Sequence, residues 1–139
     1  MFWSKNKPQK FMSKRVIDAL QANFNEHELV QLSQIGTPVD VAAGTELMIE
    51  GTFGQQALIM VDGTASVMRD GHKIASIKAG EIVGEMALLS GEPRNATVVA
   101  DSDITVYALS SRDFTSLLAR CPRLEQRISS TAASRLTAA

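Results

Sequence analysis

The chain has one cysteine, Cys121, so it forms no internal disulfide. A lone cysteine fits a reducing compartment, and Cys121 reads as a half-buried helical residue rather than a reactive thiol. No apolar run approaches the ~20 residues that span a bilayer. A transmembrane helix is therefore not expected, and the cytoplasm is the expected location. Histidine is scarce: His27 falls in a helical stretch and His72 in a turn. A barrel-type metal enzyme needs several His or carboxylate ligands converging on one ion, so neither a metal site nor a catalytic centre is expected. There is no basic excess either, since 14 Lys and Arg face 15 Asp and Glu. Nucleic-acid binders usually carry one, so direct nucleic-acid binding is not expected. No phosphate loop ending in Gly-Lys-Ser/Thr occurs. Leu89-Ser90-Gly91 lacks the earlier glycine of a nucleophile elbow.

What is present suits one compact domain. The 139 residues are 45% hydrophobic and 21% charged, enough apolar material for a core without a disulfide or metal staple. Lys5, Lys7, Lys10 and Lys14 surround Phe2, Trp3 and Phe11 at the start. No apolar stretch follows them, so a secretory signal is not expected in this segment. The expected division is a flexible N-terminal segment at 1–14 and a single domain at 15–139.

Val16, Ile17, Leu20, Phe24, Leu29 and Leu32 form a helical apolar stripe. Asn25 to Glu28 has the form of a break with a fresh capped start. Thr37-Pro38 ends the helical section, because the residue before proline disfavours the α region. From Val39 to Leu109 short apolar runs alternate with glycine. Strands are expected at 39–41, 46–49, 57–61, 65–68, 74–77, 97–100 and 104–109. Asp62-Gly63 and Asp70-Gly71 are tight-turn signals. This spacing argues for a small antiparallel barrel or sandwich. Helical period returns at Ser110, where a capping residue precedes Asp113, and Pro122 separates that helix from another. Met12, Met48, Met60, Met68 and Met86 are expected to fill core gaps.

One segment breaks the strand texture: Gly84-Glu85-Met86-Ala87-Leu88-Leu89-Ser90-Gly91-Glu92-Pro93-Arg94-Asn95-Ala96-Thr97. Its helix-forming part is too short to be stable alone, so a barrel must hold it. Its start then exposes N–H groups that suit an anion. Gly84 allows close backbone approach. Arg94, turned back by Gly91 and Pro93, offers a planar fork for two phosphate oxygens. Glu85 sits beside that anion site, where it makes sense as an acceptor for a sugar hydroxyl. A ribose cyclic phosphate carries both groups.

Gly84 to Leu89 followed by Pro93 to Thr97 resembles the phosphate-binding cassette of the cyclic nucleotide-binding domain family. Gly51-Thr52-Phe53-Gly54, Gly63, Gly71 and Gly80 fall at the family's turn glycines, and the likeness runs from about Leu29 to Leu136. It implies a mainly β fold: an eight-stranded antiparallel β-roll with a short cassette helix and terminal helices. It implies a ligand site at Gly84, Glu85, Met86, Ala87, Arg94, Asn95, Ala96 and Thr97. Glu85 would take the ribose 2′-hydroxyl and Arg94 the phosphate. Backbone N–H groups of Met86 or Ala87, and of Asn95 or Ala96, would complete the cradle. The last helix would close over the base as a lid, through Leu124, Ile128, Thr131 and Arg135.

Asn95 stands where the family has alanine, serine or threonine. Threonine there accompanies guanine, so cAMP is favoured over cGMP, with no further cofactor. The family's usual aromatic before Gly63 is replaced by Ala57-Leu58-Ile59-Met60, and the acidic residue after Gly54 by Gln55. Family transcription factors add a helix-turn-helix beyond the lid, and direct DNA binding through such a segment is not expected here. The expected partners are a cyclic nucleotide and an effector protein, or a domain attached in a longer parent chain. The leading reading is a non-catalytic sensor. The competing ones are a structural interaction module, in which Glu85 and Arg94 merely pair, and a barrel-type enzyme.

Overall fold

The computed structural model describes residues 12–127. Helix α1 spans Lys14–Leu20 and α2 spans Glu26–Ile35. Ser13 caps α1, its Oγ accepting from the Val16 N–H. Asn25 and Glu28 close a reciprocal capping box on α2, which stabilises the restart expected at that position. The strands follow: β1 Thr37–Val41, β2 Glu46–Met48, β3 Gln56–Asp62, β4 Ala65–Arg69, β5 His72–Ile77 and β6 Ile82–Val83. Helix α3, Glu85–Ser90, interrupts them before β7 Thr97–Ala100 and β8 Ile104–Ser110. Helix α4, Ser111–Arg120, starts on a Ser110–Asp113 capping box, and a further helical stretch covers 122–127.

The eight strands form two antiparallel four-stranded sheets, ordered β1-β8-β3-β6 and β2-β7-β4-β5. This is the eight-stranded β-roll with flanking helices. Asp70 (φ 52°) and Gly71 (φ 79°) both lie in the left-handed region, as a primed hairpin turn between β4 and β5 demands.

The core has two layers, and strand alternation assigns residues to each. Leu58 and Met60 of β3, with Ile104 and Val106 of β8, pack with Ala65, Ile77, Val83 and Val98. Ala57, Ile59 and Val61, with Tyr107 and Leu109, belong to the other cluster. There they meet Leu20, Phe24 and Leu32 of the N-terminal helices and Phe114 and Leu117 of α4. The middle of β3 is therefore buried throughout, which explains its unbroken run Ala57-Leu58-Ile59-Met60-Val61. Each such large side chain contributes about 1.5–3 kcal/mol by leaving water.

Several expectations need correction. Cys121 is not half-buried but 2% exposed, and it caps α4 rather than sitting within a helix. Burial, and next the charge of Glu28, raise its pKa against the opposing Arg120 and Arg127. Such a thiol stays protonated and inert. Met12 is buried in the helical core, and α1 begins at Lys14. Residues 1–11 lie outside the described part. Strand β6 is the one strand of the eight whose position the sequence pattern does not mark. It has two residues, pairing with Leu58 and Ile59, too few to show any alternation. Met12, Met48 and Met60 are buried as expected, whereas Met68 is only half-buried.

The stretch 122–127 is tied to α2. Glu28 is 2% exposed, and its Oε1 accepts from the Asn25 N–H at 2.9 Å and from Arg127 Nη2 at 2.8 Å. The Arg127 guanidinium also lies 5.9 Å from the centre of the Phe24 ring, within cation–π range.

Candidate functional site

Gly84 opens α3 with φ 88°, a conformation that glycine reaches without a Cβ penalty. A side chain there would also press on the Met48 methyl, and its Cβ would lie 2.6 Å from Arg94 Nη1. No side-chain hydrogen bond caps the start of α3, where the positive end of the helix dipole lies. Gly91 (φ 72°) ends the helix and donates to the Ala87 carbonyl at 2.9 Å.

The chain then returns along the segment 51–53. Pro93 bridges Phe53. Arg94 N–H donates to the Thr52 carbonyl at 2.7 Å, and Gly51 N–H donates to the Arg94 carbonyl at 2.8 Å. These bonds aim the Arg94 side chain inward, where it is 9% exposed. Its Nη1 donates to the Gly84 carbonyl at 2.8 Å and its Nη2 to the Gln56 carbonyl at 2.6 Å. The arginine thus joins the start of α3 to the start of β3. Burial lowers the Arg94 pKa, and the charge of Glu85 acts in the opposite sense. Glu85 itself is 1% exposed, so a carboxylate and a guanidinium share one secluded place.

The cassette residues lie in two groups. Gly84, Glu85, Met86 and Ala87 form the first turn of α3, and Arg94 reaches them from the facing segment. Asn95 and Ala96 follow in a bend, Asn95 exposed and Ala96 buried. Thr97 begins β7, and its Oγ1 accepts from the Glu50 N–H at 2.9 Å. That hydroxyl braces the turn at Glu50.

The lid residues fare differently. Leu124 is 3% exposed and packs in the helical core, so in this conformation it serves that core. Ile128, Thr131 and Arg135 lie outside the described residues. An open cleft of about 280 Å³ does exist, but none of Gly84, Glu85 or Arg94 lines it. It runs between α3 and α4, past Leu88, Leu89, Phe114 and Leu118.

Two contributors went unseen in the sequence. Gly54 was read as a turn glycine, yet its φ is not positive and its role is space. A Cβ there would collide with the guanidinium carbon of Arg94 and stand 2.6 Å from Nη2. Gln56 contributes only a backbone carbonyl, which no sequence pattern reveals.

Among the described residues no three His, Cys, Asp or Glu side chains gather to hold a metal ion, and no helix is long and apolar enough to cross a membrane. Comparison with known proteins agrees with the geometry. The family model of the cyclic nucleotide-binding domain matches residues 38–121. A cyclic nucleotide-gated potassium channel of Rhizobium etli is 34% identical over 107 residues, covering 77% of this chain and 30% of the channel. A cAMP-dependent protein kinase regulatory subunit of Hypocrea atroviridis is 34% identical over 97 residues, covering 70% of this chain and 21% of the subunit. The chain thus spans less than a third of either relative. Among solved structures, the catabolite activator protein of Thermus thermophilus superposes with a TM-score of 0.73 at 26% identity, covering 89% of this chain and 59% of that one. A cyclic nucleotide-binding domain from Methylobacillus flagellatus gives 0.71 at 25% identity, covering 95% and 79%. By the match over 38–121, and by a cassette in which Arg94 meets the start of α3, this chain belongs to the cyclic nucleotide-binding domain family.

Proposed function

We propose that the chain is a non-catalytic receptor domain for cAMP, with cGMP the weaker ligand, acting in the cytoplasm on an effector protein or an attached domain. The observation that carries this is the buried Arg94 guanidinium held against the Gly84 carbonyl at the uncapped start of α3. The phosphate would sit between that fork and the N–H groups of Met86 or Ala87 and of Asn95 or Ala96. Glu85 would accept the ribose 2′-hydroxyl. The cAMP-dependent kinase subunits among the relatives support adenine, as does the absence of threonine at Asn95. The last helix, expected from the sequence at about Leu124 to Leu136, would close as a lid over the base. Leu88 and Leu89 line the cleft shared with α4, so a shift of α3 on binding would be felt by the C-terminal helices. The nucleotide biases that shift only by its differential affinity for the two arrangements.

One observation favours a second reading. The bonds from Nη1 and Nη2 go to protein carbonyls, as in a structural strut with no ligand. Isothermal titration calorimetry with cAMP and with cGMP separates the two. Saturable binding with cAMP the tighter is expected. Silence with both selects the structural module, tighter cGMP overturns the base assignment, and turnover of the nucleotide selects an enzyme.

The ribose contact has its own signature. Glu85→Gln should weaken cAMP binding about tenfold, the scale of one hydrogen bond to a charged acceptor. The 2′-deoxy analogue should lose much less. Equal losses on both ligands would show that Glu85 serves the fold or the phosphate instead.

A further inference from the structure

We infer that Arg69 is a positioning residue of the phosphate cradle: by holding the Asn95 carbonyl, it aims the Ala96 N–H into the site. This rests on reading the cassette as a phosphate holder. β4 ends at Arg69 and pairs with β7 so that Met68 lies opposite Thr97. That register sets Arg69 beside the two residues that link Arg94 to β7. Arg69 Nε donates to the Asn95 carbonyl oxygen at 2.9 Å.

The consequence follows from peptide geometry. The described peptide bonds are all trans, and a trans peptide is a rigid plane whose C=O and N–H point in opposite directions. The Asn95 carbonyl and the Ala96 N–H share one plane. Fixing the oxygen on Arg69 turns that N–H to the opposite side, away from β4. The preceding plane is held likewise, because the Gly51 N–H on the Arg94 carbonyl orients the Asn95 N–H. Arg94 N–H on Thr52 and Glu50 N–H on Thr97 Oγ1 fix the chain on either side. Of the two planes that present N–H groups, one is tied by backbone and the other by the Arg69 side chain. Only the second depends on a side chain that substitution can remove. Without it, the carbonyl would turn to water and the Ala96 N–H would lose its fixed direction. An anion site works by donors already in place, so a wandering donor contributes less.

The test uses the full chain with cAMP and its two phosphorothioate diastereomers. Each diastereomer carries the same charge but has sulfur at a different exocyclic position. Arg69→Met removes the donor and keeps the length, whereas Arg69→Lys keeps charge and a donor. Arg69→Met should bind cAMP about tenfold more weakly, on the scale of one charge-assisted hydrogen bond lost. Its preference between the diastereomers should shift several-fold, because the Ala96 N–H serves one exocyclic oxygen only. The Ala96 amide should exchange faster in the same variant, and Arg69→Lys should restore most of each property. Unchanged affinity in Arg69→Met overturns the inference. So does an equal loss on both diastereomers, which is what a general loosening or the missing charge alone would cause. If wild type binds none of the three ligands, the cassette reading itself fails, and this inference with it.

Discussion

Arg94→Lys should bind cAMP about a hundredfold more weakly than wild type while remaining folded. The guanidinium is buried and spans two places at once, the Gly84 carbonyl through Nη1 and the Gln56 carbonyl through Nη2. A lysine ammonium is a compact point charge without a planar fork. It can bond one of these carbonyls or a phosphate oxygen, but it cannot reproduce the bidentate arrangement. Losing a desolvated charged contact of this kind costs about 2–5 kcal/mol, and a hundredfold is about 2.7 kcal/mol. Arg94→Ala should lose at least as much affinity. It should also lower the thermal midpoint, because two part-buried hydrogen bonds to a charged donor are lost, at about 1 kcal/mol each. Calorimetry and a thermal melt on the same samples read the two effects apart. Wild-type affinity in a folded Arg94→Lys protein would remove Arg94 from the phosphate site and leave it as a strut.

The sequence reveals those parts of the fold that local chemistry decides. Asp70-Gly71 marks a hairpin because the turn demands positive φ at two successive residues, and both have it. The capping boxes at Asn25–Glu28 and Ser110–Asp113 form because the oxygen at the cap and the carboxylate three residues on satisfy each other's backbone donors. The cassette is legible for a similar reason: glycine, acid, short helix and arginine follow one another within one stretch. What escapes is whatever depends on a distant neighbour. Strand β6 exists only because Leu58 and Ile59 lie opposite it. The tie from Arg69 to Asn95 spans 26 positions and follows from the β4–β7 register. Leu124 lies on an apolar helical face that suits a lid or a core equally, and periodicity does not say which partner it meets. Here the ion pair between Arg127 and Glu28 holds the surrounding helix on α2.

Gly54 is the sharpest example, and it yields the second large effect. Gly54→Ala adds one methyl group to a backbone that any residue can adopt, since Gly54 is absent from the positive-φ glycines. The whole cost must therefore come through what the methyl meets. It meets Arg94: the guanidinium carbon in outright collision, Nη2 at 2.6 Å and Nε at 2.7 Å. The arginine is flexible in itself, but here it is pinned by the Gly84 and Gln56 carbonyls. It must leave at least one of them to make room. The expected result is a loss of cAMP affinity close to that of Arg94→Lys, with stability lower by about 2 kcal/mol for the broken bonds. The decisive measurement is a double-mutant cycle. In an Arg94→Ala background the obstructing group is gone, so Gly54→Ala should change stability by less than about 0.5 kcal/mol. Gly84→Ala would not serve as well, because its φ of 88° strains any side chain whatever Arg94 does. If Gly54→Ala costs as much without Arg94 as with it, then the glycine answers to some other neighbour. If it costs nothing in either background, the guanidinium has room to move, and Arg94 is not held where a phosphate would need it.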